Sequence, residues 1–398
     1  MKRVYWRPQK ISKAALFVIG LVAVGGTLAL EHFPNTHHQG DVQTKSVAAQ
    51  LAGRGMKAIR EARLQRGHDL DRRFDPTGSG MIGAAMSPVT SLPAHLNAKQ
   101  TSVNPNFAAV AVELLQQAGV AEGDLVAVGC TGSFPALNTA LYTALEAIGA
   151  KPVIIHSAAS SQFGANEPDM LWLDMERVLY DQGIISFRTT AATLGGFGDR
   201  ARGMSSEAQQ LLAASLERNG VQTMPVDRLA ESIDSRMNIY QATAAGQPIK
   251  AYVNVGGGAA SIHGEDGREA FGGGLSLSLP AGAEAIDCVA TRYSLAGVPV
   301  INLGNAVALA TTFGLPVAPI EMPAVGSGGV FTTSRPSRLL AGLLLVGVLA
   351  MVRAYVWTDL WARVRAKFTE LNLGSAGVGN SEAGLRLHGT PQGAELMV

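Results

Sequence analysis

Charge and cysteine are what this chain has least of. Only 16% of its 398 residues are charged, and the formal net charge is +1. Nucleic-acid binding needs a strong positive excess gathered on one face, so no nucleic-acid partner is expected. A charge content this low suits a chain that spends residues on membrane segments. Two cysteines, Cys130 and Cys288, cannot make a disulfide framework or a metal-binding set. They are one bridge, if the domain lies outside the cytoplasm, or two free buried thiols acting as small hydrophobes; the reading favours the thiols. The eight histidines are scattered with no H-E-x-x-H or C-x-x-C, which excludes a recognisable metal site. A P-loop is also missing, as is a complete G-x-G-x-x-G, and no cofactor is expected. Glycine is plentiful, at 46 residues, but without a collagen-like period, so it marks turns and close backbone approaches.

Hydrophobic residues reach 47%, enough for a full core and for membrane segments besides. Ala14 to Leu30 runs without one charge, just long enough to cross a bilayer core, and is read as a transmembrane helix over 14–30. Lys2, Arg3, Arg7, Lys10 and Lys13 precede it with no acid, which keeps residues 1–13 in the cytoplasm. The rival reading is a cleaved signal peptide, but no small-x-small site follows, so an uncleaved anchor is preferred. Near the other end, Leu339 to Val352 is apolar, and Arg353, Tyr355 and Trp357 follow at interfacial distance. A second span over 338–357 is expected, with a buried or re-entrant helix as its rival. Arg363, Arg365 and Lys367 favour a cytoplasmic tail over 358–398, partly disordered from Gly374. The expected localisation is the cell (inner) membrane, two-pass, with both termini cytoplasmic and the main domain outside.

Between the spans, 31–77 reads as a membrane-proximal stalk or surface helix, because 45–73 is heavily charged on one face. The globular domain is placed at 78–333. Short apolar runs suited to buried strands are Leu125–Cys130, Pro152–Ser157, Ile184–Arg188, Ala251–Val255 and Pro299–Leu303. Helical patterns alternate with them. One starts at Asn104-Pro105, carries Phe107, Val110, Leu114 and Leu115 on one face, and stops at Gly119. The next opens at Pro135 and closes at Gly149, and others fit Ser205–Asn219, Asp227–Ala245 and Ala281–Ala296. Alternation of this kind predicts an α/β fold: a mostly parallel sheet with helices on both faces, flanked by two transmembrane helices.

In such a sheet ligands meet the carboxyl ends of the strands. Thr131, Gly132 and Ser133 sit between a strand and the helix at Pro135, an anion-binding corner, a capping turn or the seat of a serine nucleophile. Asn254 and the run Gly256, Gly257, Gly258 follow another strand; they allow close approach by a ligand, or tight packing alone. These residues are the candidate ligand-binding set, on one shared edge. Ser133, Asp174 and Glu176 are weak catalytic candidates: Ser133 is in no G-x-S-x-G elbow, and Asp174 and Glu176, two apart, diverge on a helix. His156, at a strand end, reads as a core histidine. Lys99, in the otherwise uncharged stretch 96–107, pairs with a carboxylate ligand or is solvated.

Several longer strings carry a resemblance. Asn-Ala-Lys-Gln-Thr-Ser-Val-Asn-Pro-Asn-Phe-Ala-Ala (97–109), Gly-Ser-Phe-Pro-Ala-Leu-Asn (132–138), Gly-Ala-Asn-Glu-Pro-Asp (164–169), Trp-Leu-Asp-Met-Glu-Arg (172–177) and Tyr-Val-Asn-Val-Gly-Gly-Gly (252–258) occur in this order. Together, over roughly Met81 to Pro323 and in the two-anchor layout, they resemble the bacterial poly-γ-glutamate system proteins. Thr131 stands where that pattern leads one to expect Ser, and the tail after Lys367 has no counterpart. The resemblance implies a membrane-anchored accessory of poly-γ-glutamate (capsule) biosynthesis or export at the cell envelope. Its implied partners are the membrane subunit and ligase of the synthase, and the polyanionic polymer or glutamate. It assigns no catalytic residue. Without phosphate-binding machinery, the ATP-dependent ligation itself belongs to another chain. The competing expectations are an extracytoplasmic hydrolase or transferase built on Ser133, and a small anionic-ligand-binding α/β domain.

Overall fold

A computed structural model describes residues 13–32, 35–38, 40–335 and 337–374. The expected cytoplasmic N-terminus, apart from Lys13, and the tail beyond Gly374 lie outside the described residues. The chain divides into two units, Met1–Asn35 with Ser334–Val398, and Thr36–Thr333.

In the first unit, one helix runs Lys13–His32 and another Arg338–Gly374. Among the described residues one stretch, Leu339–Trp357, is long and apolar enough to cross a membrane: 19 residues of mean hydropathy 2.2, none buried within the chain. The expected pair of spans is thereby reduced to one clear candidate, because the apolar part of the first helix, Leu16–His32, is shorter. A Cβ at Gly26 would run into the Leu344 side chain, so the glycine is what lets these helices touch. Arg353 carries its guanidinium over the Trp357 ring, 5.6 Å from the centroid. The tail expected from 358 continues the same helix to Gly374.

The second unit is built on a seven-stranded sheet. In chain order its strands are β1 Leu125–Thr131, β2 Lys151–Ser157, β3 Ala191–Thr193, β4 Gln222–Thr223, β5 Ile249–Val255, β6 Gly274–Ser276 and β7 Val300–Asn302. Across the sheet they lie in the order β4-β3-β2-β1-β5-β7-β6. All pairings are parallel except β7 with the edge strand β6. The chain winds outward from β1 to β4, then returns to β1's other side at β5. The strand order therefore reverses between β1 and β5.

Alternate residues of the central strands feed opposite layers, as a period of two requires. Val126, Val128, Cys130, Ile154 and Val253 join the core under the helices Phe107–Gln117 and Pro135–Ile148. Ala127, Val153, Ile155, Tyr252 and Val300 join the core under Leu229–Ala244 and Val289–Leu295. Burial on both faces explains why these strands read as unbroken apolar runs.

Three expectations are corrected here. The expected stalk contains a helix, Val42–Gln65, that belongs to the core: Ala48, Ala49, Ala52 and Ile59 are fully buried. Its Arg63 is buried too, donating to the Gly80 and Ile82 carbonyls at 2.7 and 2.8 Å and pairing with Glu167 at 2.5 Å. Second, Ile184–Arg188 is not a strand. The Ser186 N–H and hydroxyl both donate to Glu146 Oε2 at 2.9 Å, so a carboxylate takes the place of a neighbouring strand. The chain rejoins the sheet only at β3, after Thr190 N donates to the Ile154 carbonyl. Third, the helix expected over Ala281–Ala296 is a short 3-10 turn, Ala283–Ala285, and a helix, Val289–Leu295. Cys288, fully extended at φ −158°, breaks the run and caps the second piece through Thr291 N.

Candidate functional site

The carboxyl ends of β1 and β5 flank the point where the strand order reverses, the place where open α/β sheets bind ligands. Paired registers set Gly129 beside Asn254 and Cys130 beside Val255. From β1 the chain enters Thr131, Gly132 and Ser133, then the helix Pro135–Ile148. Thr131 Oγ1 accepts from Ser133 N at 3.2 Å, and Asn138 Nδ2 donates to the Thr131 carbonyl at 2.8 Å, which closes the turn.

From β5 the chain enters the glycine run. Gly256 has φ 96°, and a Cβ there would strike the Thr131 hydroxyl. A Cβ at Gly258 would lie 3.2 Å from Thr131 Cγ2. Thr131, Gly132, Ser133, Asn254, Gly256, Gly257 and Gly258 thus meet at one edge. Asn254 bridges the two flanking loops, donating to the Gly256 carbonyl at 2.9 Å and to Asn302 Oδ1 at 3.0 Å. Its Oδ1 is buried without a hydrogen-bond partner.

Three further residues complete this edge. Lys99 is 3% exposed, so it is not the solvated lysine that sequence allowed. Its ammonium donates to the Ser133 carbonyl, lies 2.8 Å from Ser161 Oγ, and sits 4.1 Å above the Phe134 ring. Those contacts carry no negative charge. Burial, reinforced by the Arg268 charge, brings the Lys99 pKa down to about 7. Arg268, on the helix Gly264–Phe271, lays its side chain along the glycines: a Cβ at Gly257 would be 3.4 Å from its Nε, and one at Gly304 3.1 Å from its Cδ. Its Nη2 pairs with the exposed Glu265, while Nε is buried without a partner. Ser161 lies in the loop after β2, which is clamped to β1 through Ser160 Oγ and Ala165 N, both donating to the Gly132 carbonyl.

Compared with family models, curated proteins and solved structures, the chain matches none.

Other candidates fall away from the edge. Asp174 accepts from Leu171 N at 2.8 Å at a helix N-terminus and pairs with Arg218 at 2.5 Å. Glu176 is fully buried and accepts from Thr189 N and Oγ1 at 2.8 and 2.7 Å; burial raises its pKa. Both carboxylates tie down neighbouring segments, away from the β1–β5 edge. Cys130 and Cys288 are free and buried, and burial pushes the Cys130 thiol up to about 12, an inert state. His156 is fully buried and held near about 3, chiefly by burial and then by Arg236. No cluster of metal-ligating side chains occurs among the described residues.

Lys99 was visible as a lone charge in an otherwise uncharged stretch. Arg268 gave no signal, because Glu265, Asp266 and Glu269 surround it in sequence like any solvated helix face.

Proposed function

We propose that the chain is a membrane-anchored accessory of poly-γ-glutamate biosynthesis or export, holding the carboxylate-bearing polymer at the β1–β5 edge. The observation that carries this reading is a buried lysine with no acidic contact, beside an arginine that pairs with Glu265 through Nη2 alone. Lys99 touches only neutral groups, and Arg268 presents a buried, unpartnered Nε over the glycine run. A carboxylate bound at this edge would supply the missing acceptor, and charge-assisted bonds of this type are the strong ones. The polymer's repeated carboxylates fit that need, and the sequence strings at 97–109, 132–138 and 252–258 fall on the same edge.

In this reading Leu339–Trp357 and the shorter N-terminal apolar helix anchor the chain in the inner membrane, both termini cytoplasmic. The sheet domain then faces the outside, beside the membrane subunit and ligase of the synthase. A topology reporter fused at residue 200 should report an extracytoplasmic position. Deleting the gene should lower surface polymer while the ligase still forms amide bonds in vitro; normal surface polymer would overturn the proposal. On the purified full-length protein in detergent, Arg268→Gln should weaken binding of short γ-glutamyl oligomers at least tenfold. Oligomer binding no tighter than that of inorganic phosphate would leave only a general small-anion site.

A further inference from the structure

We infer that Ser161 is a nucleophile activated by Lys99, and that the pair performs acyl transfer on amides bearing a nearby carboxylate. The choice of substrate rests on the polymer reading above; the pair itself rests on geometry.

Nucleophilic serine needs a base within hydrogen-bond reach, and a lysine can serve when it is held neutral. Lys99 Nζ is 2.8 Å from Ser161 Oγ. Ser161 is part-exposed while Lys99 is buried. Phe134 covers the amine at 4.1 Å and the Ser133 carbonyl anchors it, which fixes its direction. Burial brings the amine's pKa to about 7, so a large share is unprotonated at neutral pH. Arg268 is the charged group facing Lys99, and it opposes the ammonium form.

Ser133, the serine that sequence favoured, lacks such a base. Its hydroxyl accepts from Ser161 N at 3.1 Å, and Lys99 reaches its carbonyl instead. The glycine at 164 belongs to the same arrangement: a Cβ there would strike Ser160 Oγ and press on the Gly132 and Ser133 carbonyls. The loop carrying Ser161 is therefore packed tightly against the loop after β1, not loosely laid over it.

The chemistry balances without a further reactant than water. Ser161 Oγ forms a bond to the amide carbonyl carbon, and its proton passes to Lys99 Nζ. The carbon–nitrogen bond then breaks, and the departing amine takes that proton. Water attacks the resulting ester, giving a proton to Lys99; the ester bond breaks, Ser161 recovers the proton, and a carboxylic acid leaves.

The test uses the full-length protein in detergent, a fluorophosphonate probe with mass-spectrometric mapping of the adduct, and γ-glutamyl polymer with chain-length measurement. The expected adduct is on Ser161, and its formation rate should rise as pH climbs from 5.5 and level off above about 7. Ser161→Ala should lower labelling and polymer shortening at least about a hundredfold. Lys99→Arg, which keeps a charge but cannot act as the base, should lose labelling on protein that still melts cooperatively. An adduct on Ser133, or no adduct on protein that melts cooperatively, overturns the pair. Oligomer binding without any labelling sinks the pair and spares the polymer reading. Labelling without oligomer binding or shortening does the reverse, leaving an acyl-transfer site for another amide.

Discussion

The carboxyl edge of the sheet carries buried cations in two places, treated in opposite ways. Beyond β2 and β3, Arg236 and Asp199 are 0% and 1% exposed and pair at 2.8 Å. Ser157, Thr193 and Ser232 donate to the same carboxylate at 2.7, 2.8 and 2.5 Å, so the acid is saturated with donors. At the β1–β5 end, Lys99 is 3% exposed and has neutral contacts, while the part-exposed Arg268 pairs with Glu265 and keeps an unpartnered Nε. Burying a charge is costly unless it is paired. The first place meets its cation with a carboxylate, although Arg236 Nη1 is left without a partner. Lys99 contacts only neutral groups, and that difference is what marks the second place as a site.

The largest effect should come from breaking the paired region. Arg236→Leu leaves Asp199 buried and uncompensated, and should cost about 3–5 kcal/mol, read as loss of cooperative melting at the wild-type temperature. Asp199 itself sits at φ 62°, in the left-handed region, which the surrounding hydrogen bonds must hold. An unchanged melting temperature in Arg236→Leu would erase the contrast between the two regions.

Next comes the glycine run, where the two structural roles separate by residue. Gly256→Ala meets both a positive φ and the Thr131 side chain, and should cost about 2–4 kcal/mol. At Gly257 no positive φ occurs and the nearest atom, Arg268 Nε, is at ordinary contact distance. Gly257→Ala should therefore melt within a degree or two of wild type while weakening oligomer binding. Equal destabilisation by both changes would mean that the glycines serve packing throughout.

Much of this was legible in the chain. The α/β alternation shows because central strands buried on both faces are continuous apolar runs, and because Pro135 and Gly149 punctuate their helix. Convergence of the 131–133 and 256–258 loops follows from parallel strands placing their following loops at one edge. The helix Val42–Gln65 was misread because Lys57, Arg60 and Glu61 dominate its composition. Its buried side is a stripe of small residues, Ala48, Ala49, Ala52 and Gly55, whose value lies in close approach: a Cβ at Gly55 would meet Leu179 and Thr139 at 2.8 and 3.1 Å. Such a stripe has little hydrophobic signal. Arg268 was illegible for a different reason, since nothing local distinguishes a guanidinium lying along glycines from one in water. Ser161 could have been found from its place just after β2, but only Lys99's position makes it notable.

The sharpest test of the comparison concerns pH. The pKa of Lys99 is about 7 in the fold against 10.5 for an ordinary lysine. Between those values the unfolded chain binds more protons than the folded one, so this group makes stability rise with pH from about 7 toward 10.5. Below about 7 the ammonium is present in both states, and the fold bears its full burial cost. Lys99→Met removes the titration, so its melting temperature should approach or exceed wild type at pH 6.5 and lose that advantage by pH 9. Arg236→Leu should show no such relative drift, because its buried cation stays charged throughout this range. Anion binding that depends on the ammonium should weaken over the same interval, opposite in sign to the gain in stability. Parallel pH curves for wild type and Lys99→Met would mean that the amine stays charged through this interval, with its burial cost met by its neutral neighbours, and the two regions would then differ only in degree.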